Sequence, residues 1–192
     1  MNNQHRFEIC CHEAGHGVIG HVLGVYKVTV LEVLNDTFGH CIFSPDGFDT
    51  ATNHYQAEPH LIMTFAGKEA QLKAQLTKWT IAKPPLQPRA KKEKQTSDKF
   101  PCPRISLAQT GYARSLEGKS ESDLQAEERL ADSFFPREVA GPWLYYLTRR
   151  TSVMVNEHWP QILAVAGRLF WKSQVWKREF NQIMKGTIKC VP

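Results

Sequence analysis

Between Arg6 and Leu23, the apolar residues Phe7, Cys11, Ala14, Val18 and Val22 recur at helical spacing, with Ile19 and Leu23 alongside. That spacing predicts a helix with one buried face, stopped at Gly24. Inside the stripe stands His12-Glu13-Ala14-Gly15-His16. A helix turns about 100° per residue, so His12 and His16 fall about 40° apart on one face, one turn above the other. Two imidazoles so placed can each give a nitrogen to one Zn²⁺ at about 2.0–2.1 Å. Glu13 flanks that face without ligating, where it can take a proton from a zinc-activated water and pass it to a leaving amine. His21 lies about 180° around the helix from His12 and faces away, and Val22 stands where a metzincin would have histidine. A third ligand must come from elsewhere; periodicity leaves Glu58, Glu69, Glu121, Asp123, Glu127 and others open.

The rest of the chain supplies a scaffold for that helix. Val25–Val33 is rich in β-branched residues, Asn35, Asp36 and Gly39 supply turn chemistry, and His40–Ser44 can return as a second strand. Pro59 suits the first turn of a second helix carrying Leu61, Phe65, Leu72 and Leu76. Residues 120–135 read as a helix ending before Pro136, and further helices follow from Pro142, from Pro160 and after Lys172–Ser173. The aromatic residues Trp143, Tyr145, Tyr146, Trp159, Phe170, Trp171 and Trp176 are expected as core between these helices, with an oligomer or partner surface as the alternative. The expected fold is mainly α (α+β): the HExxH helix, a small β-hairpin, then a helical bundle. At 192 residues, 42% of them hydrophobic, one domain over 1–192 is expected.

Charge is concentrated. Eight basic residues fall between Lys78 and Arg104 against only Glu93 and Asp98, so this stretch carries +6 of a net +5 and the rest of the chain sums to −1. It also holds five of the eleven prolines, and reads as a flexible basic insertion over about 78–104. The five cysteines show no Cys-x-x-Cys pair, which argues against a disulfide framework or a thiolate zinc site. No segment approaches the roughly 18 apolar residues of a membrane span, and the start lacks a signal-peptide pattern. A cytoplasmic protein without a membrane span is expected. Residues 113–120 loosely fit a phosphate loop, but Leu116 and Glu117 stand where a glycine-rich backbone should cradle phosphate.

The segment CCHEAGHGVIGHVLGVYKVTVL resembles the zinc-peptidase domain of the FtsH-type AAA proteases. TFAGKEAQLKA is similar to that family's Gly-Arg-Ala-Ala-Glu helix and SESDLQAEERLADSF to its Asn-Asp-Leu helix, and the segment from Asn156 to Met184 is similar to its helical ending. The likeness spans most of the chain except the basic insertion. It implies that Asp123 completes the ligand set with His12 and His16 around one Zn²⁺ per chain, with Glu13 as the catalytic base. It also implies that the first strand's exposed edge, Val28, Thr29, Val30 and Leu31, holds extended polypeptide substrate. The family's first glutamate after Gly-Arg-Ala-Ala becomes Gln71, which can orient a ligand histidine by hydrogen bonding but brings no charge. These residues contain no ATPase module, so the expected enzyme is a zinc metalloendopeptidase acting without its own ATPase, with a separate ATPase or a homo-oligomer as possible partners. The non-catalytic alternative is a weak or inactive zinc-binding module whose basic insertion, through residues 83–99, recruits nucleic acid or an acidic partner.

Overall fold

The computed structural model describes residues 3–24, 26–35, 38–44, 54–77 and 137–186. The basic insertion, the expected 120–135 helix and Asp123 lie outside the described residues, as do Glu121 and Glu127. Within them the chain runs α1 (Asn3–Val22), β1 (Lys27–Val33), β2 (Gly39–Ser44), α2 (His54–Leu76), α3 (Arg137–Glu157), α4 (Trp159–Lys172), β3 (Gln174–Trp176) and α5 (Lys177–Met184). The fold is mostly helical with one small antiparallel sheet, in agreement with the expected mainly α (α+β) class. No helix among the described residues is long and apolar enough to cross a membrane.

The expected apolar stripe is what makes α1 the central element. Phe7, Cys10, Cys11, Ala14, Val18 and Ile19 are all buried, and α2, α4 and β1 pack around the helix. The approach to α2 is close. A Cβ on Gly15 would stand 2.5 Å from the Ala66 carbonyl oxygen and 2.9 Å from the Ala70 Cβ, so only a residue without a side chain lets the two helices meet there. On the sheet side, Leu31 of β1 is fully buried and lies against Gly17.

Two boundaries differ from expectation. α2 begins at His54 and carries Pro59 inside it, and α3 likewise carries Pro142. Each proline stands in the second turn, where it removes one backbone N–H yet leaves the later ladder intact. Pro160 does fall at the start of α4.

The sheet holds three strands, not the two of a hairpin, in the order β2-β1-β3. Ser173 is responsible for the third. It adopts a left-handed conformation (φ 63°) that ends α4, and its N–H bonds the Leu169 carbonyl at 2.7 Å. Its own carbonyl then accepts from Val33 N–H at 2.8 Å, which starts the pairing of Gln174–Trp176 with Val30–Glu32. Arg6 holds the same turn from α1, donating to Ser173 Oγ at 2.8 Å.

β3 thus covers part of the edge expected to be free on the first strand, at Val30 and Leu31 but not at Val28 and Thr29. β1 is the middle strand; Val30 and Leu31 pair on both sides, with Ile42 and Cys41 of β2 and with Trp176 and Val175 of β3. Val28 pairs with Phe43, and a bulge between Val28 and Val30 leaves Thr29 outside the β2 register. A three-residue strand after a non-glycine left-handed turn has too little periodicity to be read from sequence.

The aromatic expectation also needs correction. Of the seven residues, Phe170 is buried and Trp143 and Trp159 are partly buried, whereas Tyr145, Tyr146, Trp171 and Trp176 are half or more exposed. α3 packs mainly on α2; its Ala140, Leu147, Thr151 and Val155 are buried, and its other face turns outward.

Leu31→Ala removes a fully buried side chain where the sheet meets α1, and is expected to cost about 3 kcal/mol in a urea titration. A loss below about 1 kcal/mol would mean that this contact does not anchor the sheet.

Candidate metal centre

α1 delivers its two histidines as the helical geometry requires. The rings stand 4.7 Å apart between centroids and nearly perpendicular, and His12 Nε2 meets His16 Nε2 at 3.0 Å. Their other nitrogens are both engaged by α2. His16 Nδ1 lies 2.9 Å from the Met63 backbone carbonyl, and His12 Nδ1 lies 3.1 Å from Gln71 Oε1. An oxygen of this kind only accepts, so in each ring the Nδ1 carries the proton. In a neutral imidazole that makes Nε2 the nitrogen with the lone pair, and here the two Nε2 atoms stand 3.0 Å apart.

That donor set fits a shared cation. Two nitrogens bound to one tetrahedral zinc at 2.0–2.1 Å stand about 3.3 Å apart, close to the separation observed. Nδ1–H bonded to a carbonyl is the usual way a protein orients a ligand histidine. Among the described residues, however, no group of three or more His, Cys, Asp or Glu side chains is gathered to hold a metal. Neither Glu58 nor Glu69 joins the histidine pair; Glu58 instead receives a hydrogen bond from Arg150 of α3. Asp123, which the resemblance implies as third ligand, lies outside the described residues.

Glu13 is buried on the same helix, 5% exposed. Gly39, the first residue of β2, covers it: a Cβ there would stand 2.7 Å from Glu13 Cγ and 2.9 Å from the Glu32 carbonyl oxygen. The hairpin can therefore lie directly over the carboxylate. The Glu13 charge is felt by its neighbours. Burial pushes the Cys41 thiol well above its ordinary range and Glu13 adds to the shift. Burial raises Cys10 to about 12, the Arg6 charge opposing and Glu13 reinforcing. These thiols are protonated and inert.

The seam between α1 and α2 carries a further polar rung one turn before His12, where Gln75 donates to Glu8 at 3.2 Å. One turn beyond His16's partner, His60 of α2 forms a 2.5 Å hydrogen bond with the Tyr26 hydroxyl. His21 faces away from the pair, its ring against Phe180 at 5.6 Å.

Of the residues singled out from sequence, His12, His16 and Gln71 are thus brought together, Glu13 is buried on the same helix beneath Gly39, and Val30 and Leu31 pair on both sides within the sheet. Sequence reasoning missed the Met63 carbonyl, Gly39 and Gly67. Gly67 lies against both converging nitrogens, 2.9 Å from His12 Nε2 when a Cβ is built on it. A backbone carbonyl leaves no trace in side-chain patterns, but a glycine in mid-helix between Ala66 and Ala70 is a readable signal of close approach. No protein-family model matches the chain, and no curated protein is significantly similar to it.

The electrostatics of this seam make an acid-sensitivity prediction. Burial, with His16 nearby, lowers His60 to about 4 from an ordinary 6.5. Between those values the unfolded chain binds a proton that the folded chain refuses, so stability present above pH 6.5 is lost as pH falls towards 4. At about 1.4 kcal/mol per unit, chelator-treated protein should lose about 2–3 kcal/mol from His60 between pH 7 and 4.5. His60→Gln should shrink the pH-dependent fall in urea midpoint. An unchanged fall would assign the acid sensitivity to other groups.

Proposed function

We propose that the chain is a zinc-dependent metallopeptidase, hydrolysing peptide bonds in proteins or unfolded peptides, with a site of the kind found in the FtsH-type peptidase domain. The observation that carries this reading is the pair of Nε2 atoms converging at 3.0 Å, each ring oriented through Nδ1 by a carbonyl oxygen of α2, next to a buried glutamate. A structural zinc site is usually closed by four protein ligands and has no use for an adjacent base.

In this reading His12, His16 and Asp123 hold one zinc ion. The bound ion would supply Lewis acidity, polarising the scissile carbonyl and acidifying a water. Glu13 takes the proton from that water on its carboxylate and delivers it to the departing amide nitrogen. Gln71 and the Met63 carbonyl hold the two imidazoles in the tautomer that leaves Nε2 to the ion. Gln71 does so without adding negative charge, which keeps more net positive charge on the centre than a glutamate there would.

The corrected sheet order moves the substrate's expected track. Among the described residues β2 lies on the outside of the sheet, and Gly39 brings it against Glu13. An extended peptide adding to β2 would therefore run beside the catalytic carboxylate.

The test is zinc content of the purified chain together with cleavage of casein or an unfolded peptide, with and without a chelator. Glu13→Gln is expected to retain zinc and fold but to lower turnover by about 10²–10⁴; undiminished cleavage would remove Glu13 from the mechanism. Asp123→Ala is expected to leave the purified chain short of zinc. Full stoichiometry in that variant would place the third ligand elsewhere.

A further inference from the structure

α2 meets α1 through small residues: Ala66, Ala70 and Ala74 are fully buried. Beside Ala66, on the neighbouring line of the helix, stands Gly67. In a helix interior glycine is disfavoured against alanine because it loses more backbone freedom on folding. Gly67 gains nothing in return from backbone conformation, since the positive-φ glycines among the described residues are Gly24 and Gly186. Its reason lies in what a side chain would meet.

A Cβ built on Gly67 would overlap His16 Nε2 and stand 2.5 Å from His16 Cε1 and 2.9 Å from His12 Nε2. The obstacles are the tips of two imidazoles, not backbone. At Gly15 on the facing helix the case is opposite, because there the Cβ would strike the Ala66 carbonyl oxygen, a fixed part of α2. The two glycines of this seam therefore serve different ends. Gly15 lets the helices touch, and Gly67 keeps a side chain off the two converging nitrogens.

We propose that Gly67 is a positioning residue of the metal centre: its missing side chain leaves open the space in which His12 Nε2 and His16 Nε2 share the ion. This rests on the zinc reading above. A methyl group at 67 takes that space and pushes the two Nε2 tips away from a shared point, while the Nδ1 contacts to Met63 and Gln71 stay as the pivots of the rings. Because the clash falls on movable ring tips, the cost lies in metal affinity far more than in the stability of the metal-free fold.

The experiment measures zinc affinity by competition with a chromophoric chelator, and thermal unfolding of chelator-treated protein. The unaltered chain should bind one zinc. Gly67→Ala should bind it about 100-fold more weakly, at the upper end of what disturbing the orientation of ligand histidines costs, while its metal-free melting stays near that of the parent. Should Gly67→Ala not fold, the same change is made in a His12→Ala, His16→Ala background. With both struck rings gone, it should melt at or above that parent, alanine being the better helix former. Zinc affinity within about threefold of the parent in Gly67→Ala overturns the role of Gly67 while leaving the zinc reading standing. A triple variant that melts below the His12→Ala, His16→Ala parent overturns it too, since the clash then lies elsewhere. An unaltered chain that takes up no zinc overturns the zinc reading, and the role of Gly67 with it.

Discussion

The contact between α1 and α2 is the constraint on which the rest depends. Gly15 allows the Ala66 backbone to approach within van der Waals distance, and at that separation the side chains of one helix reach the other helix's amide and carbonyl groups. Three rungs follow along the seam: Glu8 with Gln75, His12 with Gln71, and His16 with the Met63 carbonyl. Each requires the same register between the helices. A shift by one residue on either would rotate its partners about 100° away and leave polar groups buried without their acceptors, which is strongly unfavourable. Register and tautomer are thus set by one packing decision.

The seam also explains why α1 tolerates two buried carboxylates. Glu8 and Glu13 are at or below 9% exposure on a helix whose other buried residues are small or apolar. Glu8 accepts hydrogen bonds from Gln4 and Gln75. Glu13 sits under Gly39, so the hairpin that covers the carboxylate does so with backbone alone. Burying these carboxylates strengthens the hydrogen bonds and charge interactions they make, because the local dielectric is low.

Away from the seam the molecule is less closed. The row Ile42–Val30–Trp176 crosses the three strands, and Ile42 and Trp176 are about half exposed where they flank buried Val30. On α3, Tyr145, Tyr146, Val139 and Val153 are likewise at least half exposed, opposite the face that meets α2. Stability is therefore concentrated around α1, where the core cluster joins α1, β1, α2 and α4, and local opening is expected to begin at the periphery.

Side-chain period and helical geometry were enough to determine the mainly α class, the HExxH helix, the two strands of the hairpin and the one-turn spacing of His12 and His16. These are local properties, governed by contacts within a few residues, and the sequence spells them out. The small residues at 66, 67 and 70 were equally visible, but their meaning was not, because a glycine declares only that something comes near. What came near was a tertiary matter: imidazole nitrogens at Gly67, a carboxylate at Gly39, a facing helix at Gly15. The third strand and the enclosure of Val30 and Leu31 were decided in the same way, by the left-handed turn at Ser173 and its hydrogen bond to Val33. Backbone carbonyls and close approaches carry no side-chain pattern, so only the folded arrangement could assign His16 its partner and β1 its second neighbour.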